Sequence, residues 1–306
     1  GALLASVGLG GIMVIDAATY LAAIAGLLPV AIPSPPRAEA PEEAGGGPVW
    51  LAAARRFVGE AAVGWRFVRE RPGLLGLLGF VALVNFWAGF VNPLLAPMVL
   101  SFGSPVALAT VQASVGAGAV VGGIVIGAWG GPRSRVAGLL GAVVVVGACI
   151  AVTGLKTSVP FMSAAMFAWS FATPLLMTSS SAIWMSKTPQ ELMGRVTAVR
   201  RMALLSLMPL AVLVAGPLAD RVFEPLMAPG GALAGSVGAA IGVGKGRGMA
   251  LMFVGLGVLV MLTAVAAWLV PSIRNVERDV PDAPHPQPAP GSVAEAEPAA
   301  AEMAAD

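Results

Sequence analysis

The sequence predicts an all-α, polytopic α-helical membrane protein with about seven full transmembrane helices and the stub of another. Three observations predict it. Of 306 residues only 11% are charged, against about 25% in soluble domains, while 57% belong to the apolar set AVILMFWYC and mean hydropathy is +0.86. The apolar residues gather in runs of about 20, the length that crosses a hydrocarbon core. Lysine and arginine sit between those runs and are shared unevenly between alternate connections. The same composition excludes a disordered chain, and a net charge of only +2 without a dense basic face argues against nucleic-acid binding. One cysteine, Cys149, and one histidine, His285, leave no material for a disulfide framework or a His/Cys metal cluster, so no cofactor is expected.

The elements follow in order. Residues 1–9 read as the tail of one span and 10–31 as a full one; with 32 they form the first unit, 1–32. A chain that opens at Gly1 inside an apolar stretch reads as part of something longer. Residues 33–48 (PSPPRAEAPEEAGGGP) are a Pro/Gly/acidic linker. Residues 49–71 read as an amphipathic helix, with Trp50, Ala54, Phe57, Val58, Ala61, Trp65 and Val68 on one face and Arg55, Arg56, Glu60, Arg66, Glu70 and Arg71 on the others. That helix suits either the inner membrane surface or the protein's own cytoplasmic face. Together 33–72 form a cytoplasmic connection. Spans are then expected at 73–100, 106–130, 135–155, 160–185, 201–219 and 248–270, a six-helix unit over 73–270. Segment 220–247 reads as an outer loop with a short helix near 230–240, and 271–306 as a cytoplasmic, disordered tail. With 33–72 inside, 14 lysines and arginines fall on the inner side and 4 on the outer, and none lies in mid-span. That bias orients the chain in a cytoplasmic (inner) membrane with its C-terminus inside.

One span, a long cytoplasmic loop and six closely spaced spans resemble the second half of a major facilitator superfamily transporter. IDAATYLAAI at 15–24, IWMSKTPQELMGRVTAVRRM at 183–202, GPLADRVFEPLM at 216–227 and GVGKGRGMALMF at 242–253 are similar to the macrolide-efflux and siderophore-exporter branch of the drug:proton antiporters. The resemblance implies the C-terminal six-helix half of a major facilitator fold, with the sixth span and a stub of the fifth before it. It also implies a missing N-terminal half, a midplane substrate site between halves, and rocking alternating access. Proton antiport and export of small amphipathic molecules (drug, macrolide or siderophore-like) come from that resemblance. A Gly-x-x-x-Asp-Arg-x-Gly-Arg loop of the family appears here only as GAWGGPRSR, 127–135, with Gly127 and Arg135 kept. An importer of the same fold and a non-transporting binding or scaffold module are alternatives. An enzyme is not expected, because no catalytic cluster is available.

Few residues in the spans could carry chemistry. Asp16, an acid within a span, reads as a proton-coupling carboxylate or as an interfacial residue bonded to Thr19 or a neighbouring helix. Asn85 and Asn92, seven residues apart, share a helix face, and Gln112 lies on the next span; amides in lipid need partners, so these point to a substrate cavity or to interhelical bonds. Trp87, Trp169 and Phe171 lie in mid-span, where they could stack on a bulky apolar molecule or pack in the core, and Thr173 is grouped with them as a cavity candidate. Trp129, Trp184 and Trp268 read as interface belt residues. Glu191 and Arg195, an i,i+4 pair in a cytoplasmic link 186–200, could join Arg200 and Arg201 in a cytoplasmic gate or form a surface salt bridge. Gly118/Gly122 and Gly123/Gly127 are two small-xxx-small pairs for close helix packing, and Pro209 and Pro217 are expected to bend their span. Lipid, a small amphipathic substrate and protons are the expected partners.

Overall fold

The computed structural model describes residues 2–27 and 49–284, which form helices and connecting turns with no strand among the described residues. Fourteen α-helices follow in order: α1 (Ala2–Leu27), α2 (Val49–Arg69), α3 (Pro72–Ala88), α4 (Val91–Leu100), α5 (Pro105–Trp129), α6 (Arg135–Thr153), α7 (Val159–Lys187), α8 (Gln190–Ser206), α9 (Met208–Leu218), α10 (Glu224–Met227), α11 (Val237–Ile241), α12 (Arg247–Leu269), α13 (Pro271–Arg274) and α14 (Val276–Asp279). Among the described residues, six apolar helical stretches are long enough to cross a membrane: Pro72–Leu100, Pro105–Trp129, Arg135–Thr153, Val159–Lys187, Gln190–Met227 and Arg247–Leu269. The expected span 10–31 runs past Leu27 and so lies partly outside the described residues; its apolar helix is described over Met13–Gly26. The linker 33–48 and most of the tail, 285–306, also lie outside them. Gly8, at φ +68°, breaks α1 close to where the stub and the sixth span were expected to meet.

Local chemistry explains where helices begin and bend. Pro72, Pro105, Pro160 and Pro271 stand in first turns, where the missing N–H costs nothing. Ser104 and Ser134 accept from the N–H groups of Ala107 and Ala137. Gly130, at φ +77°, closes α5 by donating to Ile126. Two spans are interrupted midway. Between α3 and α4, Pro93 cannot donate to the carbonyl of Gly89 and its ring crowds it, so the helix yields at Gly89–Phe90. Between α8 and α9, Pro209 has the same effect near Leu207, and beyond Pro217 the chain widens into a π-helical turn at Ala219–Phe223.

The helices alternate direction, so one end of the bundle gathers Arg66, Arg69, Arg71, Arg133, Arg135, Lys187, Arg274 and Arg278; the other end gathers the 101–104, 154–158 and 228–246 connections. These are called the Arg-rich and the far end. The core runs between α3, α6, α7 and α12, where Leu77, Leu139, Ile150, Met162, Met166, Phe253 and Val260 are fully buried. Lipid removes the hydrophobic drive between spans, so close van der Waals fit must hold them. Gly147 and Gly154 face the backbone carbonyls of Gly257 and Ala250, and Gly257 faces Gly147 and Ala151, which brings α6 and α12 nearly into backbone contact. Carboxylates close two helix N-termini: Glu277 accepts from Ser134 Oγ (3.1 Å) and Arg135 N (2.9 Å) at α6, and Glu224 accepts from Gly246 N (3.2 Å) and Met249 N (3.3 Å) at α12.

Two expectations change. Residues 190–200 are not a link: α8 starts at Gln190 and the turn is only Thr188–Pro189, because a polar helix continues beyond the apolar span without breaking. The 220–247 segment begins with helix as far as Met227, and its short helix is α11. The C-terminal half of α2 packs on the protein itself: Gly64 meets the carbonyl of Arg195 and Val199 on α8, Phe67 and Val68 are buried, and Trp65, expected on the apolar face, is exposed.

Candidate functional site

A cavity of about 200 Å³ lies beside both helix interruptions. From α3 and α4 it takes Val84, Asn85, Ala88, Gly89 and Asn92; from α7, Trp169, Thr173, Leu176 and Met177; from α8 and the start of α9, Leu204, Leu205 and Met208; α6 adds Val146. The spacing explains the grouping. Asn85 and Asn92 are two turns apart, and Trp169 and Thr173 one turn apart, so each pair projects from one helix face. Asn85 Nδ2 donates to the carbonyl of Val81 (2.9 Å) and Thr173 Oγ1 to that of Trp169 (3.0 Å). Each hydroxyl or amide proton so used leaves an acceptor oxygen for a guest. The wall is otherwise apolar, and no charged side chain among the described residues lines it. A cavity of this make-up takes an apolar body and a few hydrogen bonds.

The other candidates fall elsewhere. Trp87 packs against Phe86, ring centroids 4.9 Å apart, and its buried indole N–H has no partner among the described residues. Phe171 stacks on Phe167 at 6.3 Å, and the Phe171 carbonyl faces Gly122, so it belongs to the α5–α7 seam. Gln112 does not line this cavity; it is exposed on α5, whose buried line is Val111, Gly118, Gly122 and Ile126. On that line Gly118 and Gly122 meet the backbone of Phe167 and Phe171. Gly123 and Gly127 face open space, five residues onward and so about 140° round the helix.

Asp16 is exposed on α1; Thr19 Oγ1 bonds the Asp16 backbone carbonyl (2.7 Å), and the carboxylate has no partner among the described residues. Glu191 and Arg195 are exposed and do not pair, although both border a groove with Glu60 of α2. Arg200 instead lies over the Trp184 ring at 5.0 Å, and Arg201 is exposed. Trp184 is therefore no belt residue; at 2% exposure it is buried, whereas Trp129 and Trp268 are exposed. Sequence reasoning also missed Lys187, a buried cation at the end of α7 that reads in isolation as one more interfacial charge. No group of three or more His, Cys, Asp or Glu that could hold a metal occurs among the described residues.

Comparison with known proteins places this architecture. Macrolide efflux protein A of Streptococcus pyogenes, and the protein of the same name from the serotype M6 strain, are each 24% identical to the chain over 170 residues, covering 54% of this chain and 42% of the relative. The chain thus spans less than half the length of these curated relatives. No solved structure matches it significantly. The sequence profile of the Major Facilitator Superfamily matches residues 1–211. With its all-α fold and its membrane-length helices, the chain is an integral, multi-pass membrane protein that belongs to the Major Facilitator Superfamily.

Proposed function

We propose that the protein is a secondary active transporter, a proton-coupled exporter of small amphipathic molecules that works by alternating access. The observation that carries this reading is the cavity of Asn85, Asn92, Trp169 and Thr173 at two interrupted spans. Interrupted helices expose backbone groups only where a protein or aqueous cavity receives them, and in transporters they border the substrate. The apolar wall with few hydrogen-bonding groups fits an amphipathic guest, and the similarity to proteins named for macrolide efflux supports the outward direction. At about 200 Å³ the cavity is smaller than a drug-sized site, which typically takes about 300–1,000 Å³, so a facing helical half completes it. Asp16, a carboxylate on an apolar helix, is the proton-coupling group. The Arg-rich end and the C-terminus face the cytoplasm of the inner membrane.

The test is efflux of a fluorescent lipophilic dye from energised cells that express the complete gene product. Asn85→Leu and Trp169→Ala are each expected to slow efflux about tenfold at unchanged membrane abundance, about 1.4 kcal/mol of lost interaction. Efflux that neither variant changes would remove the cavity from the path, and dye accumulation would reverse the direction.

A further inference from the structure

Beyond the last span the chain folds back across the Arg-rich end, and the seat of this return is Lys187. The lysine side chain is 4% exposed. An ammonium has three N–H donors, and all three are taken by this one returning segment: the carbonyl of Glu277 (2.7 Å), the carbonyl of Val280 (2.6 Å) and Asp282 Oδ1 (2.9 Å). Ala283 N donates to the carbonyl of Ser186, one residue before the lysine, at 2.9 Å. The same segment reaches two more helix ends. Glu277 holds the first turn of α6, and Val276, fully buried, lies against Gly73 at the start of α3. Sequence separation makes these contacts informative, since Lys187 and Val280 are 93 residues apart. A buried cation that loses its acceptors keeps its desolvation cost, so the segment and the lysine are held in place together.

We propose that Val276–Ala283 is a strap, fastened by Lys187, that locks the Arg-rich ends of α3, α6 and α7 into one body and thereby sets the spacing between the Asn85 and Trp169 walls of the cavity. Those walls stand on α3 and α7, the two spans whose ends the strap ties together. With the strap released, only the buried core they share with α6 and α12 couples the Arg-rich ends of α3 and α7, and a rocking step loses part of its rigid lever. The functional part of this inference rests on the transport reading above; the structural part does not.

The experiment uses the complete gene product with Cys149 and every cysteine outside these 306 residues replaced by Ala, and a reporter, Val280→Cys, placed at a buried strap position. Labelling by a membrane-impermeant maleimide is followed on detergent-purified protein. Lys187→Met, close in volume and without a donor, is expected to raise the labelling rate at least tenfold and to cut dye efflux by a similar factor. Asp282→Ala, which leaves the lysine its two carbonyls, is expected to raise labelling two- to threefold, and it carries the test should Lys187→Met fail to accumulate. Equal labelling in parent and variants would overturn the strap. Released strap with unchanged efflux would overturn its role in the cycle. A staple, Ser186→Cys with Ala283→Cys, then separates strap release from general damage, because the backbone bond between these residues places them within disulfide reach. In the Lys187→Met background without the reporter, oxidation is expected to restore efflux and reductant to remove it. A staple that does not form, or one that forms without restoring efflux, would refute the proposal. A parent protein with no efflux would refute the transport reading and leave the labelling result to decide the strap.

Discussion

Adding one methyl group to Gly118 or Gly122 tests how tightly the spans are held. A Cβ at either position would stand 2.4 Å from the carbonyl oxygen of Phe167 or Phe171, about 1 Å inside ordinary contact. The obstacle is helix backbone, which cannot rotate away as a side-chain end can. The α5 helix must therefore back off α7 by about 1 Å, and a gap of that size forfeits a quarter to a half of each contact well along the seam. Overpacking of this kind costs about 1–3 kcal/mol, against which alanine recovers about 0.5–1 kcal/mol of helix preference over glycine. The net loss for each single variant is about 0.5–2 kcal/mol. The two sites share one retreat, so the double variant should lose less than the sum, by about 1 kcal/mol. Melting of the purified full-length protein measures this, with about 2–4 °C expected per kcal/mol. Gly123→Ala and Gly127→Ala, on the open face, serve as controls and should melt at the parent temperature or slightly above. Four variants that melt alike, or a double variant that loses the full sum, would refute the reasoning.

At the far end, Glu224→Ala strips the acceptor from Gly246 N–H and Met249 N–H, at a cost of about 0.5–2 kcal/mol; hydrogen exchange should accelerate in the first turn of α12 and stay unchanged in α6. Asp16→Asn should abolish efflux driven by a pH gradient and leave membrane insertion intact, and efflux that persists would remove Asp16 from proton coupling.

Much of the architecture was legible because membrane spans write themselves in long apolar runs, and because proline marks where they start and bend. Asn85 and Asn92 were readable as one face, since seven residues bring a helix round to nearly the same direction. What the sequence could not say is which face meets which neighbour. The α5 helix carries small-xxx-small pairs on two sides, and only partner geometry picks Gly118/Gly122 over Gly123/Gly127 for the seam with α7. The polar run from Gln190 read as a connection because hydropathy marks the membrane boundary, and a helix does not have to end there. Lys187 and Glu277 stayed hidden for a different reason. Their environment is made by chain 90 and 142 residues distant, and no local pattern records it.

The two carboxylates that close α6 and α12 have an effect at long range. The helices run antiparallel and pack together, and each carries an acid at its positive end: Glu277 at the Arg-rich end and Glu224 at the far end. A helix N-terminus is worth about half a positive charge, which a nearby carboxylate offsets. The central pair therefore sends little directional field into the adjoining cavity, whose own lining is uncharged. On the transport reading proposed above, a guest between Asn85 and Trp169 is sorted here by shape, greasiness and hydrogen bonding, with almost no regard to its sign. Any discrimination between cationic and anionic molecules has to come from groups outside this wall.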